Sequence, residues 1–250
     1  MQSHAGTDVF VINLDRSLRK LEEFERANRG IVACERFAAV DGLTLSNSQL
    51  VADGVLHHEL KYTPGATGCA MSHIALWRRA VEANRPLTIC EDDALFNKDF
   101  VRFSGEAMAT LAGKFDLILW GWNFDSVLVF DLWGISSCAA IFDAGQMLRT
   151  VERFQTVTFV PTLYALQRAY GLVCYTISPK GAATLLQRAL PLRPIEVFFP
   201  GINKTLPNTG LDVVLSSLYP SIAALVSFPP LVLTKHERGR STTLLTRPKE

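Results

Sequence analysis

Short apolar runs rich in β-branched residues recur along this chain, separated by stretches with helical spacing, and that alternation limits the fold more than any single motif. Val9-Phe10-Val11-Ile12-Asn13-Leu14, Arg36-Phe37-Ala38-Ala39-Val40 and Pro86-Leu87-Thr88-Ile89-Cys90 read as strands, as do Phe115 to Trp122, Ser137 to Phe142, Val173 to Ile177 and Ile222 to Ser227. Helical patterns lie between them. One runs from Asp15 or Ser17 to about Asn28, with Gly30 as its stop. Another covers Thr67 to Asn84, beyond a break at Pro64-Gly65, and carries Ala70, Ile74, Trp77 and Val81 as its apolar stripe. Asp99 to Gly113, Ser178 to about Leu190 and Leu211 to Leu218 follow, the second opened by serine as N-cap and proline in first position. Strands alternating with helices predict an α/β fold with a mostly parallel central sheet flanked by helices. Residues 8–234 are expected to form one domain, and residues 235–250 a basic tail or lid.

The 250 residues are 48% hydrophobic and 20% charged, which excludes wholesale disorder and permits a sizeable core. With 25 Lys+Arg against 24 Asp+Glu, the chain has no general electrostatic reason to bind nucleic acid. None of the five cysteines has CxxC spacing, so neither a zinc knuckle nor a disulfide framework is suggested, and a reducing, cytoplasmic setting is expected. The first residues lack the apolar core of a secretory signal. Val213 to Thr234 is uncharged over a length that could span a bilayer, but Pro220, Pro229 and Pro230 interrupt it. A buried helix followed by a buried strand accounts for it better.

The strongest chemical signal is Glu91-Asp92-Asp93, which ends a buried strand. Adjacent carboxylates repel one another unless a cation or hydrogen-bond donors compensate, and ligands of open α/β sheets collect at the carboxyl ends of strands. Hard oxygen ligands there suit Mg²⁺ or Mn²⁺ shared with a diphosphate; the plain alternative is a loop of solvated acids. Trp120-Gly121-Trp122 is either a platform for a sugar face, with Asn123 and Asp125 reaching hydroxyls, or ordinary core. His57-His58-Glu59 lacks convergent spacing and reads as a polar loop, while His73 suits a core, capping or substrate-contacting role. GxGxxG, Walker, GxSxG and HExxH motifs are all missing from the sequence.

The order of the motifs is more informative than any one of them. Val11-Ile12-Asn13-Leu14 with Arg16 and Arg19 comes first, then the run Thr63-Pro64-Gly65-Ala66-Thr67-Gly68-Cys69-Ala70-Met71-Ser72-His73. Leu87 to Ala94 follows, and much later Tyr175-Thr176-Ile177-Ser178-Pro179-Lys180-Gly181-Ala182. This order resembles glycosyltransferase family 25, the lipooligosaccharide-biosynthesis transferases related to collagen galactosyltransferases, over roughly residues 8–235.

The resemblance implies a GT-A type nucleotide-sugar-binding fold. It implies inverting, metal-dependent transfer of a hexose, galactose or glucose, from a UDP-sugar to a saccharide or glycolipid hydroxyl in surface-glycan synthesis. By analogy, Glu91, Asp92 and Asp93 hold Mn²⁺ (or Mg²⁺) against the diphosphate, with His236 as a late metal or phosphate contact. Asn13, Leu14, Arg16 and Arg19 lie by the nucleotide, and Ser72 and His73 sit near the donor. Asp212 is the first choice as catalytic base, with Asp125 behind it. A lipid-carried acceptor would bring the protein to the inner face of the cytoplasmic membrane in peripheral contact. The family usually carries Glu where this chain has Ala66, which leaves a non-catalytic nucleotide-sugar or glycan-binding module as the alternative. A metal-dependent nucleotidyltransferase is a further rival, and the chain lacks the glycine-rich phosphate loop such enzymes use.

Overall fold

The computed structural model describes residues 8–235. Strand β1 (Asp8–Asn13) passes through a 3-10 turn (Asp15–Ser17) into helix α1 (Leu18–Ala27), and the chain returns as β2 (Glu35–Ala38). A short α2 (Asn47–Ala52) and the long α3 (Pro64–Ala83) then lead to β3 (Leu87–Glu91). After these come β4 (Ala94–Phe96), α4 (Phe100–Leu111), β5 (Leu117–Gly121), β6 (Val127–Leu132), β7 (Ser136–Ile141) and α5 (Ala144–Phe154). The chain continues through β8 (Thr162–Arg168), β9 (Cys174–Ile177), α6 (Pro179–Ala189), β10 (Glu196–Phe199) and β11 (Lys204–Pro207). It closes with α7 (Leu211–Leu218), β12 (Ala224–Phe228) and β13 (Val232–Thr234).

Nine strands form one sheet in the order β2-β1-β3-β9-β5-β12-β8-β6-β7. Helices flank it, so the α/β class is as expected, and the layout is compatible with a GT-A-like fold. The expectation of a mostly parallel sheet is corrected. Only β1–β2, β1–β3 and β5–β12 pair in parallel. The pairs β3–β9, β5–β9, β12–β8, β6–β8 and β6–β7 are antiparallel. Sequence reading missed β6 and β8, and the few residues joining β6 to β7 leave no room for the helical crossover that a parallel pair requires.

Strand alternation sorts the core onto the two sheet faces. Leu87, Ile89, Leu117, Leu119, Tyr175 and Ile177 pack with Ile74 and Trp77 of α3 and Leu185 of α6. Val9, Val11, Cys90, Ile118, Trp120 and Cys174 pack on the opposite side with Phe24 of α1 and Phe100 of α4. The alternation of these positions between the two clusters is the period of two expected of strands covered on both faces.

Pro64 does not break the chain before α3. It occupies the first turn of that helix, where its missing N–H is harmless, and Thr63 Oγ1 accepts from the Ala66 N–H at 3.0 Å as the N-cap. The same turn packs tightly on the Val40–Gly42 loop. A Cβ on Gly68 would lie 2.5 Å from the Val40 carbonyl oxygen, and one on Gly42 would overlap the Pro64 carbonyl. The uncharged Val213–Thr234 stretch contributes most of α7, then β12 and β13, as the helix-then-strand reading anticipated. Among the described residues, no helix is long and apolar enough to cross a membrane. His236 and the rest of the basic tail beyond Lys235 lie outside the described residues.

Candidate active site

Parallel pairing of β1 and β3 sets Ile12 opposite Glu91, so the residues that follow each strand emerge side by side. Asn13 Nδ2 therefore donates to Asp92 Oδ2 at 2.8 Å, and also to the Ser17 carbonyl at 3.1 Å. Arg36 of β2 donates from Nε to Asn13 Oδ1 at 3.2 Å, which fixes the orientation of the amide. Asn13 is 1% exposed and acts behind the acids, holding Asp92 in place. In the first turn of α1, Lys20 sets its Nζ 3.6 Å from Asp92 Oδ1. Burial pushes the Asp92 carboxyl above its ordinary range, and Lys20 and Asn13 draw it back.

Asp93 is held from the far end of the chain. Antiparallel pairing of β13 with β4 brings Thr234 alongside Ala94, so Thr234 Oγ1 donates to Asp93 Oδ2 at 2.7 Å and the Lys235 N–H donates to the Asp93 carbonyl at 3.2 Å. Among the described residues Asp93 Oδ1 is buried and has no hydrogen-bond partner.

Glu91 continues the series Leu87, Ile89, and its carboxylate accordingly faces α3. There Cys69 and His73, one turn apart, present their ligand atoms within 4.8 Å of a Glu91 oxygen and of each other. Burial is the main cause that pushes the Glu91 carboxyl up to about 8; Asp93, Asp92 and Asp212 add to it and Lys20 opposes it. His73 is fully buried, with Nδ1 2.9 Å from the Tyr175 hydroxyl, which also receives the Trp77 Nε1–H at 2.8 Å. Burial draws the His73 imidazole down to about 3, so the ring is neutral at physiological pH. Ser72 is equally buried: its hydroxyl donates to the Gly68 carbonyl at 2.8 Å and accepts from the Val40 N–H at 2.9 Å, tying α3 to the loop.

The opposite wall comes from the start of α7 and the segment leading into β9. Asp212 Oδ2 accepts from the Gly171 N–H at 2.9 Å and Oδ1 from the Val213 N–H at 3.0 Å. Burial raises the Asp212 carboxyl, and those backbone donors counter it. Gly171 has φ +84°, and a Cβ there would overlap the Asn123 side chain, so glycine is required for this approach. The Asn123 N–H in turn donates to the Tyr170 carbonyl at 2.7 Å.

These walls enclose a cleft of about 760 Å³, within the size range of small-molecule sites. Of the residues singled out from sequence, Leu14, Arg16, Ser72, His73, Glu91, Asp92, Asp93, Asp125 and Asp212 line it. Asn13 lies directly behind it. Arg19 is not brought to the cleft: it is exposed on α1, with Nε 3.7 Å from Glu23. Arg16 reaches the rim, where it pairs with Asp41. Trp120 and Trp122 are 1% and 0% exposed, so the platform reading gives way to core packing. His57, His58 and Glu59 do not line the cleft, but their ligand atoms converge within 4.8 Å of one another, which the spacing did not suggest; all five cysteines are free.

Sequence reading missed Lys20, Cys69, Tyr170, Thr209 and Lys235, all of which line the cleft. Lys20 was findable, lying one helical turn beyond Arg16 in the segment after the first strand. Cys69 was findable from its i,i+4 relation to His73. Tyr170 and Thr209 are placed by tertiary contacts alone and carry no local signal.

The family described as glycosyltransferase family 25 (LPS biosynthesis protein) matches residues 7–198. The chain is 29% identical to procollagen galactosyltransferase 1 of Danio rerio, over 77% of this chain and 31% of that protein. It is 30% identical to a glycosyltransferase 25 family member of Drosophila pseudoobscura pseudoobscura, over 93% of this chain and 35% of the relative. The chain thus spans about a third of the length of these curated relatives. Among solved structures, A197 from STIV overlays with a TM-score of 0.43 at 12% identity, over 88% of this chain and 81% of that one, too loosely to bear on function. With the family match covering most of the length and the acidic strand end inside the cleft, this chain belongs to glycosyltransferase family 25.

Proposed function

We propose that the chain transfers a hexose from a UDP-sugar to a saccharide hydroxyl with inversion at the anomeric carbon. One observation carries this reading: Asp92 and Asp93 share a cleft with Asp212 on the facing wall, and Lys20, Arg16 and Lys235 line the same space. Acids at one end suit a cation, and neighbouring lysines and arginine suit the phosphates of a nucleotide.

A divalent ion fits the residues present. Asp93 Oδ1 is buried without a partner among the described residues, and burial together with the neighbouring acids pushes the Glu91 carboxyl up. Both features are relieved by a hard cation, and carboxylate oxygens suit Mn²⁺ or Mg²⁺. Asp93 and Asp92 are the residues that would hold it, with Glu91 adding negative charge behind them. When bound, such an ion supplies charge neutralisation for the departing diphosphate.

The chain's own groups do the rest. Lys20 and Arg16 attract and orient the phosphates, and Lys20 is set by its contact with Asp92. Asp212 takes the proton of the acceptor hydroxyl as that oxygen bonds to the anomeric carbon and the bond from carbon to the diphosphate oxygen breaks, releasing UDP. Its two backbone hydrogen bonds fix both oxygens, so the base is oriented before substrate arrives. Asp125 is the second candidate for this role. Galactose as the sugar rests on the names of relatives and surface-glycan synthesis as the setting on the family's description, with glucose the alternative hexose. A lipid-carried acceptor would place the protein at the inner membrane face, which co-sedimentation with anionic vesicles tests.

One observation favours a second reading. Ala66 lines the cleft, so no carboxylate projects from that position of α3. A module that binds a nucleotide sugar without transferring it would account for this. Assay of purified protein with a panel of UDP-sugars and saccharide acceptors, with Mn²⁺ or with chelator, separates the two. Metal-dependent release of UDP coupled to product supports transfer. Donor binding without turnover on any acceptor supports the module, and absence of donor binding overturns both.

A further inference from the structure

We propose that Cys69, His73 and Glu91 form a binding site for a divalent ion of the zinc class, distinct from the hard-oxygen pair Asp92 and Asp93. A thiol, an imidazole nitrogen and a carboxylate oxygen lie within 4.8 Å of one another at this point in the cleft wall. Two periodicities produce the cluster: the i,i+4 spacing of Cys69 and His73 on α3, and the strand alternation that turns Glu91 towards that helix while Asp92 turns away to Asn13 and Lys20.

The independent sign of a ligand is His73. The residue is fully buried, Nδ1 is engaged by the Tyr175 hydroxyl, and Nε2, the nitrogen left for the cluster, is buried with no hydrogen-bond partner among the described residues. Unsatisfied buried nitrogens are uncommon because each keeps the desolvation cost of an unmade hydrogen bond, and an ion at Nε2 removes that cost. Ion binding selects the tautomer in which Nδ1 carries the proton and donates it to the Tyr175 oxygen, with Trp77 anchoring the phenol from the other side. This is the outer-shell arrangement that orients metal-bound histidines.

The donor set decides the ion class. Sulfur and imidazole nitrogen are too soft for Mg²⁺ and match zinc, for which three protein ligands with an open fourth position form a recognised arrangement. On binding at neutral pH the Cys69 thiol and the Glu91 carboxyl each release a proton to solvent, and thiolate plus carboxylate then balance the two positive charges. The cleft supplies the open position, since all three residues line it. This site does not rest on the glycosyl-transfer reading and would stand if that reading failed.

Co²⁺ titration of the purified, tag-free full chain tests it, because cobalt bound to thiolate gives a near-ultraviolet charge-transfer band. The expected result is a band saturating at one ion per chain, retained in Asp93→Asn and Cys34→Ser and lost in Cys69→Ser. In parallel, Zn²⁺ should slow alkylation of Cys69, mapped by mass spectrometry on the unmodified chain, by about tenfold or more, with Cys34 unaffected. This second arm needs no variant, so a misfolded Cys69→Ser leaves the test intact. No thiolate band in the wild type, a band that persists in folded Cys69→Ser, or alkylation of Cys69 indifferent to Zn²⁺ would each overturn the proposal.

Discussion

Replacing Glu91 with glutamine keeps its volume and removes its charge, and the structure gives the consequence a pH signature. In the folded chain the Glu91 carboxyl is pushed from 4.5 to about 8. A carboxyl whose folded value lies above its unfolded one favours folding only while protonated. The chain therefore has the full benefit below about 4.5 and loses it as pH rises towards about 8. At about 1.36 kcal/mol per pH unit the upper bound is ~5 kcal/mol, and sharing of protons with Asp92, Asp93 and Asp212 brings the expected effect to ~1–3 kcal/mol. For a chain of this size that is roughly 3–10 °C in melting temperature. Thermal unfolding followed by circular dichroism, in chelator, should show Glu91→Gln and wild type melting close together at pH 5 and the variant melting higher at pH 8. Mn²⁺ at pH 8 should narrow the difference by stabilising the wild type. Equal differences at the two pH values would refute the claim that this carboxyl is held neutral by burial and its acidic neighbours.

Other substitutions probe the supports of the cleft. Tyr175→Phe strands the Trp77 Nε1–H and removes the partner of His73 Nδ1, so urea unfolding should show a loss of ~2–4 kcal/mol; a loss under ~0.5 kcal/mol contradicts the hydrogen-bond account. Gly68→Ala places a methyl group on the Val40 and Gly42 backbone, which cannot yield as a side chain can, and should destabilise by ~1–3 kcal/mol and weaken donor binding in calorimetry. Asp212→Asn sets an amide N–H against a backbone N–H while preserving shape, and should lower turnover about a hundredfold or more with donor affinity held within about threefold. Unchanged turnover there would move the base to Asp125.

Much of the fold was legible because local chemistry and burial agree. The apolar runs that became β1, β3, β5, β9 and β12 are covered on both faces, and the Ser178-Pro179 start of α6 carries its own cap, with Ser178 Oγ accepting from the Gly181 N–H at 2.9 Å. Strand direction was not legible. An isolated apolar run has the same pattern whether its neighbour is parallel or antiparallel, so β9 between β3 and β5 reversed the expectation. Glu91-Asp92-Asp93 announced the cleft because three adjacent acids after a buried strand need compensation. Sequence alone could not divide them, since strand alternation in β3 sends Glu91 to α3 while the turn that follows sends Asp92 to Asn13 and Asp93 to Thr234. Asp212 was found through the family resemblance, and its partner Gly171 is a backbone donor that no side-chain motif encodes.

Calorimetric titration of UDP into wild type and Asp93→Asn, with Mn²⁺ and with chelator, bears most directly on the cation at this strand end. The account predicts that Mn²⁺ tightens UDP binding to the wild type about tenfold or more and leaves the folded variant within about twofold of its metal-free affinity. A variant that keeps the full Mn²⁺ dependence, or a wild type indifferent to the ion, would contradict it.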